Sequence, residues 1–465
     1  MQNPSFLKNK RITVFGLGLN MGGVGTVAFL AEAGAREIIV TDIKKKSELA
    51  ASLEKLKKYK NITYVLGQYR PEDFTRVDMV VKNPGISWKN EYILLAKKHK
   101  VPVEMDSSLF FRFCPAPIIG VTGTKGKTTT ASLIAHILER AGKKVVRAGI
   151  SQVGVLSQLS KATADAVVVF ELSSWRLSPL QDLKKSPHIA VFTNFYPDHL
   201  NYYKTLEAYL EDKKNIFRFQ KGKDILVANA DNPAVREAAE EAPGSVLWFS
   251  AGGSIPGSGA WIENNVLFVR EADHDKVLFP LEKISLTGEH NRGNVLAAAL
   301  ACLAYGLKPK MIREGVETFA GVPHRLEFVR EKDQVRYYND SAATIPEAAL
   351  SALKAFAGSP VIFVGGGSDK ELDFEALAIA LSKQAKKAIL FAGGGTDKLE
   401  KILARLGAQE KYVVVRSMAE ALAEAEAAKA PGDVVLLSPG AASFGVFSNE
   451  FDRGDQFRNQ VKALL

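Results

Sequence analysis

Two spacings of apolar residues alternate along the chain. Short apolar runs, at 12–15, 38–40, 64–66 and 79–81, read as buried strands. Stretches with apolar residues every three to four positions, such as 24–33 closed by Gly34, read as helices. The same alternation returns at 118–121, 166–170 and 189–193, and again at 361–364, 388–391, 412–415 and 434–437. Each apolar run is followed by glycines, hydroxyls or carboxylates, which puts polar groups at the carboxyl ends of parallel strands. The segment 243–283 breaks the pattern. Its short runs at 246–249, 266–269 and 277–279 predict hairpins. Residues 101–105 read as the last strand of the first set, 106–117 as a link, and 206–219 as an amphipathic helix with Lys213 and Lys214 on its solvent face. The fold class is therefore α/β with three domains: an N-terminal Rossmann-like domain at 1–106, a central P-loop ATPase-type domain with a mainly parallel sheet and extra hairpins at 107–321, and a C-terminal Rossmann-like domain at 322–465.

The stretch 117–130 carries the clearest chemistry. A strand at 118–121 leads into Gly123, Thr124, Lys125, Gly126, Lys127, Thr128 and Thr129, and then into a helix stopped by Gly142. In such a unit backbone N–H groups and the helix N-terminus face an anion, the lysine reaches terminal phosphates and a threonine hydroxyl joins a Mg²⁺ shell. Val121 stands where the general phosphate-loop pattern has its first glycine. Glu171 ends the run 166–170, and Asp198-His199 follow the run 189–193. A carboxylate and an imidazole thus reach the edge of the sheet that holds the loop, where a nucleotide-bound Mg²⁺ takes hard ligands. Asn291 and Asn294 open an Ala/Leu-rich helix, as nucleotide contacts or as plain caps. In the first domain the Gly16-x-Gly18 turn ahead of Gly22 and Gly23 departs from a clean dinucleotide fingerprint. Asp42 stands at a ribose hydroxyl in that reading. Asn83, Pro84, Gly85 and Ile86 form a turn at a strand's ligand-binding end.

Composition narrows the classes. Of 465 residues, 46% are hydrophobic and 24% charged, enough for real cores. No apolar stretch approaches the ~20 residues of a membrane span, and residues 1–10 lack the apolar core of a signal peptide. Cys114 and Cys302 are the only cysteines, which fits a reducing cytoplasm without disulfides. A formal charge of +10 favours anionic partners. There is no basic tract interleaved with aromatics, so nucleic acid is not expected as a partner.

Taken in order, Gly16-Leu-Gly18-Leu19, Asn83 to Ile86, Thr122 to Thr129, Glu171-Leu-Ser-Ser174, Asp198-His199, Gly288-x-His290-Asn291-x-x-Asn294, Pro323-His324-Arg325, Asn339-Asp340-Ser341 and Leu437-Ser-Pro439 with Ser443 resemble the Mur ligases of peptidoglycan synthesis over the whole chain. The resemblance implies an ATP-dependent ligase. ATP phosphorylates the carboxylate of UDP-N-acetylmuramoyl-L-alanine, and the amino group of glutamate, D-glutamate in the first place, attacks the acyl phosphate. It implies that Lys127 and Thr128 hold ATP phosphates and Mg²⁺, with Gly123 to Gly126 supplying N–H donors. Glu171 and His199 would hold a second Mg²⁺, and Asn291, Asn294, Arg325 and Asp340 would contact ATP. Gly18, Leu19, Asn20, Asp42, the turn Asn83 to Ile86 and Ser151 would hold the UDP substrate. Thr344, Lys370, Ser443 and Phe447 would hold the amino acid. Lys213 matches the family's carbamylated lysine, an anionic metal ligand. A cytoplasmic monomer without a membrane span is expected.

Two stretches depart from the family. Its usual Asn-Asp-Ser-Lys-Ala-Thr-Asn reads Asn-Asp-Ser-Ala-Ala-Thr-Ile here, with Ala342 replacing the lysine. The loop at 148–154 lacks the usual asparagine, leaving Ser151 or Gln152 for its contact. An L-glutamate-adding relative, another Mur ligase and a folylpolyglutamate synthetase remain alternatives within the class. An NAD-dependent oxidoreductase or an inactive nucleotide-binding scaffold is the alternative outside it. The oxidoreductase gives Lys127, Glu171 and His199 no role.

Overall fold

The computed structural model describes residues 4–18, 21–150, 153–253, 255–271, 274–281, 286, 290–369 and 371–464. Leu19, Asn20, Ser151, Gln152 and Lys370 lie outside the described residues. The chain forms two compact units, Met1–Ile284 with Glu289–Phe319, and Ser285–Gly288 with Ala320–Leu465. The first holds two sheets and the second holds one.

The first sheet contains β1 (Arg11–Phe15), β2 (Glu37–Asp42), β3 (Ile62–Leu66), β4 (Met79–Lys82) and β5 (Val103–Glu104) in the order β3-β2-β1-β4-β5, all parallel. Strand order reverses between β1 and β4, and a crevice forms there outside the carboxyl ends of an open parallel sheet. Gly16 follows β1 and Asn83 follows β4, so the sequence turns meet at this point. The expected link after β5 is instead a helix, Asp106–Phe113. Its Leu109, Phe110, Phe111 and Phe113 are buried, and Phe110 meets Phe170 edge-on at 5.2 Å. An apolar face of that size forms a helix because burial outweighs the loss of chain freedom.

The second sheet contains β6 (Ile118–Thr122), β7 (Val145–Ala148), β8 (Val167–Glu171), β9 (Ile189–Phe192), β10 (Ile225–Asn229), β11 (Ser245–Ser250), β12 (Gly259–Glu263), β13 (Val266–Glu271) and β14 (His274–Pro280). Their order is β14-β13-β12-β11-β10-β9-β6-β8-β7. Only the β12–β13 and β13–β14 pairs are antiparallel. The run 246–249 is thus a parallel strand beside β10, and the hairpins are confined to the sheet's far edge. Register pairs Val121 with Glu171 and Thr122 with Phe192, so the loop after β6 sits between the ends of β8 and β9. Helices Lys127–Arg140 and His290–Ala304 pack together, with Leu133, Ile134, Val295, Leu296 and Cys302 fully buried or nearly so. One apolar core runs from Leu17 and Val27 of the first sheet's layer to Val155, Phe170 and Phe192 of the second.

In the second unit β15 (Glu327–Lys332), β16 (Val335–Asn339), β17 (Val361–Gly366), β18 (Ala385–Phe391), β19 (Tyr412–Val415) and β20 (Val434–Leu437) take the order β15-β16-β20-β17-β18-β19, parallel except for β15. One face is covered by helices Pro346–Ala355, Glu375–Gln384 and Gly394–Arg405, through Leu353, Leu377 and Leu399. The other is covered by Met418–Ala428 and Glu450–Ala463, through Leu422 and Phe457. Buried Arg453 ties the loop after β16 to the loop after β20, donating to Ser341 Oγ at 2.9 Å, Ser341 O at 3.0 Å and Ala441 O at 3.4 Å. Burial pulls its guanidinium down to about 10, with the Glu450 charge opposing.

Candidate active site

The loop between β6 and helix Lys127–Arg140 is shaped by two glycines. Gly123 has φ +151°, and a Cβ there would collide with Thr193 Oγ1. Gly126 has φ +80° and caps the helix, where a Cβ would overlap Asn294 Oδ1. Only glycine suits a left-handed position with no space for a side chain. Asn194, after β9, braces the loop: its Oδ1 accepts from Lys125 N at 2.8 Å, its carbonyl accepts from Thr124 N at 2.9 Å and its Nδ2 donates to Lys125 O. The amides of Thr124 and Lys125 are therefore bonded within the protein, which corrects the expectation that the whole run 123–126 offers donors. The turn from Gly126 into the helix is where an anion meets the helix dipole. Asn294 fixes that turn from the neighbouring helix. Its Oδ1 accepts from Thr130 Oγ1 at 3.2 Å and its Nδ2 donates to Asn291 Oδ1 at 2.8 Å.

Two amines converge on one carbonyl. Lys127 Nζ donates to Gly123 O and Thr124 O, both at 2.9 Å, and Lys213 Nζ donates to Gly123 O at 2.8 Å. Lys213 is only 1% exposed and lies over the Tyr209 ring at 4.7 Å. The predicted solvent-facing lysine is thus a core residue, and Lys214 is buried beside it, paired with Glu241 at 2.6 Å. Periodicity missed this because helix Leu206–Lys214 ends five residues early and is covered on its polar side. Burial, reinforced by the Lys127 charge, drives the Lys213 amine well below its ordinary pKa. His199 follows in the left-handed conformation, φ +55°, with its ring 4.9 Å from Trp175 and 5.8 Å from Tyr209. Burial, with the Lys127 and Lys125 charges adding to it, holds its imidazole below the usual range against Asp198. The His199 imidazole, the Lys213 amine, the Glu171 carboxylate and the Thr128 hydroxyl are the groups here that could serve as donors to a divalent ion. Among the described residues no three His, Cys, Asp or Glu side chains form a preformed metal cage. Oxygens from a nucleotide and water would have to complete any Mg²⁺ shell.

At the crevice of the first sheet, Gly16 has φ +86°, and a Cβ there would stand 2.9 Å from Ile86 Cδ1. Asn83 joins the two turns, donating through Nδ2 to Gly16 O at 3.4 Å and accepting from Gly85 N at 3.1 Å. Asp42 is buried. Its Oδ2 accepts from Gly18 N at 3.0 Å and its Oδ1 from Lys44 N at 2.9 Å, so it supports the glycine turn. A small hollow here is lined by Gly16, Gly22, Thr26, Lys82, Asn83 and Pro84. Lys82, which the sequence reading passed over, is buried with its Nζ donating to Ile86 O at 2.8 Å. Burial lowers it to about 7.

In the second unit, Asp340 accepts from Ser438 Oγ at 2.8 Å and Leu326 N at 3.1 Å. Burial raises its carboxyl to about 6, with the Arg325 charge opposing. Ser443 is buried, Thr344 is partly exposed after β16, and Phe447 is packed edge-on against Phe391 at 4.9 Å as part of the core. Gly393 and Gly367 meet so closely that a Cβ on Gly393 would lie 2.6 Å from Gly367 C. This brings the loops after β17 and β18 together.

Three family models match successive parts of the chain: Mur ligase MurD-like N-terminal domain at 10–104, Mur ligase middle domain at 121–302, and Mur ligase glutamate ligase domain at 324–440. The UDP-N-acetylmuramoylalanine--D-glutamate ligase of Roseiflexus sp. (strain RS-1) is 41% identical, over 98% of this chain and 99% of its own. That of Symbiobacterium thermophilum is 38% identical, over 98% of each. Among solved structures, the UDP-N-acetylmuramate-alanine ligase MurC of Thermotoga maritima aligns with TM-score 0.59 at 18% identity, covering 98% of this chain and 99% of that one. MurF of Acinetobacter baumannii aligns with TM-score 0.61 at 15% identity, covering 100% and 93%. Structures so distant in sequence agree in fold alone, whereas the full-length relatives agree in sequence throughout. The chain belongs to the Mur ligase family.

Proposed function

We propose that this chain catalyses the ATP-dependent addition of D-glutamate to UDP-N-acetylmuramoyl-L-alanine, with ADP and phosphate as the other products, in the cytoplasmic stage of peptidoglycan synthesis. The observation that carries the reading is the pair of amines on Gly123 O, one from the phosphate loop and one buried with its pKa lowered, beside Glu171 and His199 at adjoining strand ends. Full-length relatives bearing that activity in their names support the substrate and the stereochemistry. In this reading 1–106 binds the UDP substrate, 107–321 binds ATP, and 322–465 binds the amino acid through Thr344, Lys370 and Ser443.

The chemistry follows from the charges. A substrate carboxylate attacks the γ-phosphorus of ATP, so two anions must meet. Mg²⁺, when bound, shields both oxygens and polarises the phosphoryl group. Thr128, Glu171, His199 and Lys213 are the residues that would hold it. Only a neutral amine adds to CO₂, and burial favours the neutral form of Lys213. Its nitrogen bonds to the carbon of CO₂, a proton leaves that nitrogen, and a carbamate anion stands in place of the amine. Lys127 exchanges its carbonyl partners in the loop for phosphate oxygens. The amino group of glutamate then attacks the acyl phosphate, and phosphate departs as the amide forms. The test is mass spectrometry of the product after incubation with ATP, Mg²⁺ and UDP-N-acetylmuramoyl-L-alanine, supplying D-glutamate, L-glutamate and other amino acids separately. A product heavier by one glutamate residue, formed from the D isomer only, is expected. Product from L-glutamate alone overturns the specificity, and no product from any amino acid overturns the ligase.

A further inference from the structure

The segment after β4 does more than present the 83–86 turn. Beyond it the chain reaches Trp88, whose ring has Lys82 Nζ at 4.5 Å and Lys97 Nζ at 4.7 Å from its centroid. Lys82 Nζ also donates to Ile86 O, so the ring and the turn share one support. The indole Nε1 donates to Ser178 Oγ at 2.7 Å, and Ser178 Oγ donates to Trp175 O at 2.7 Å. A hydroxyl has one proton, and Ser178 gives it to Trp175. It therefore accepts from Trp88, which fixes the direction of the chain of bonds. Trp175 belongs to the four-residue helix Ser174–Leu177, which follows β8 and Glu171, and its ring lies against His199 and Tyr202. A single helical turn has little stability of its own. Its place depends on outside ties, of which Trp88–Ser178 is one and Ser107 Oγ to Arg176 O, 2.7 Å, is another.

We propose that Trp88 is a positioning residue. Through Ser178 it sets where the Trp175–His199 pair stands relative to the 83–86 turn, and so where a substrate held by that turn presents its carboxylate. The inference rests on the ligase reading above for the identity of that substrate. Displacing a reacting group by about 1 Å costs on the order of 10²-fold in rate, while affinity at a remote binding turn is untouched. A strut of this kind therefore acts on kcat.

Trp88→Phe keeps an aromatic ring beside the two lysines and removes the indole donor. Ser178→Ala removes the acceptor, and Ser178→Thr keeps it. We expect kcat for glutamate-dependent phosphate release to fall about tenfold in Trp88→Phe and in Ser178→Ala, with no further fall in the double variant. Ser178→Thr should restore it to within about twofold, and the Kd for UDP-N-acetylmuramoyl-L-alanine should stay within about twofold throughout. Hydrogen exchange on the substrate-free protein gives a second readout: amides of 174–178 should exchange faster in Trp88→Phe. Unchanged kcat in Trp88→Phe, losses that multiply in the double variant, or unchanged exchange at 174–178 overturns the proposal. An inactive wild type would count against the ligase reading instead, and the exchange measurement would still decide the strut.

Discussion

Two strand–glycine turn–helix units in the first compact unit look alike in outline and differ in charge. In the first, the turn after β1 is fastened by a carboxylate, with Asp42 accepting the amide of Gly18. In the second, the loop after β6 is fastened by amines, with Lys127 and Lys213 both donating to the carbonyl of Gly123. A fixed negative charge beneath the first turn opposes a phosphate seated directly on it. The Lys127 ammonium beneath the second attracts one. The shared backbone therefore does not carry a shared function. The side chain chosen to hold the turn decides whether the helix N-terminus above it can receive phosphate.

The largest expected effect comes from removing the buried amine. Lys213→Met fills the same space without nitrogen, so the protein should remain folded while turnover drops roughly 10²–10³-fold, the range for loss of a group that stabilises transition-state charge. Wild-type turnover in that variant, in the phosphate-release assay, would remove Lys213 from the chemistry and make the two turns equivalent again. Next is Gly126→Ala. A Cβ at φ +80° against Asn294 strains the loop, and we expect a loss of about 1–3 kcal/mol in chemical denaturation, together with weaker ATP binding. The equivalent change at Gly16 should weaken binding of the UDP substrate instead.

The pH dependence gives a third test. Lys82 has its pKa lowered from 10.5 to about 7 by burial. Its contribution to stability is thus fully present above about 10.5 and is lost as pH falls through 7. Stability should climb between pH 7 and 10 in the wild type, and Lys82→Met should flatten that climb by about 2 kcal/mol once relaxation is allowed for. A slope unchanged in the variant would show that the amine is well solvated. The smallest effect is expected from Asp42→Asn. The amide oxygen keeps one of the two backbone bonds, so the loss should be about 1 kcal/mol, with KM for the UDP substrate shifted a few-fold and kcat unchanged.

Much of this was legible in the sequence because it depends on local pattern. Apolar runs followed by glycines located most strands of the three sheets, and Thr122 to Thr129 located the phosphate loop. Three things were not legible. The hydrophobic face of 106–113 looked like a linker, because a helix of eight residues is justified only by what it packs against. The run 246–249 looked like half of a hairpin, because a parallel partner is distant in sequence. Lys213 looked exposed, because the elements covering it come from other parts of the chain, and only the family resemblance singled it out. Lys82, Trp88 and Asn194 carry no motif at all. Their roles exist only where two loops from separate strands meet.

The central claim is that the amine-fastened loop serves ATP and the first sheet serves the UDP substrate. Calorimetric titration of Lys127→Ala with each ligand tests it most directly. The account predicts that UDP-N-acetylmuramoyl-L-alanine binds within about twofold of wild type while ATP affinity falls at least about tenfold. Equal losses for both ligands, or a loss for the UDP substrate alone, would contradict it.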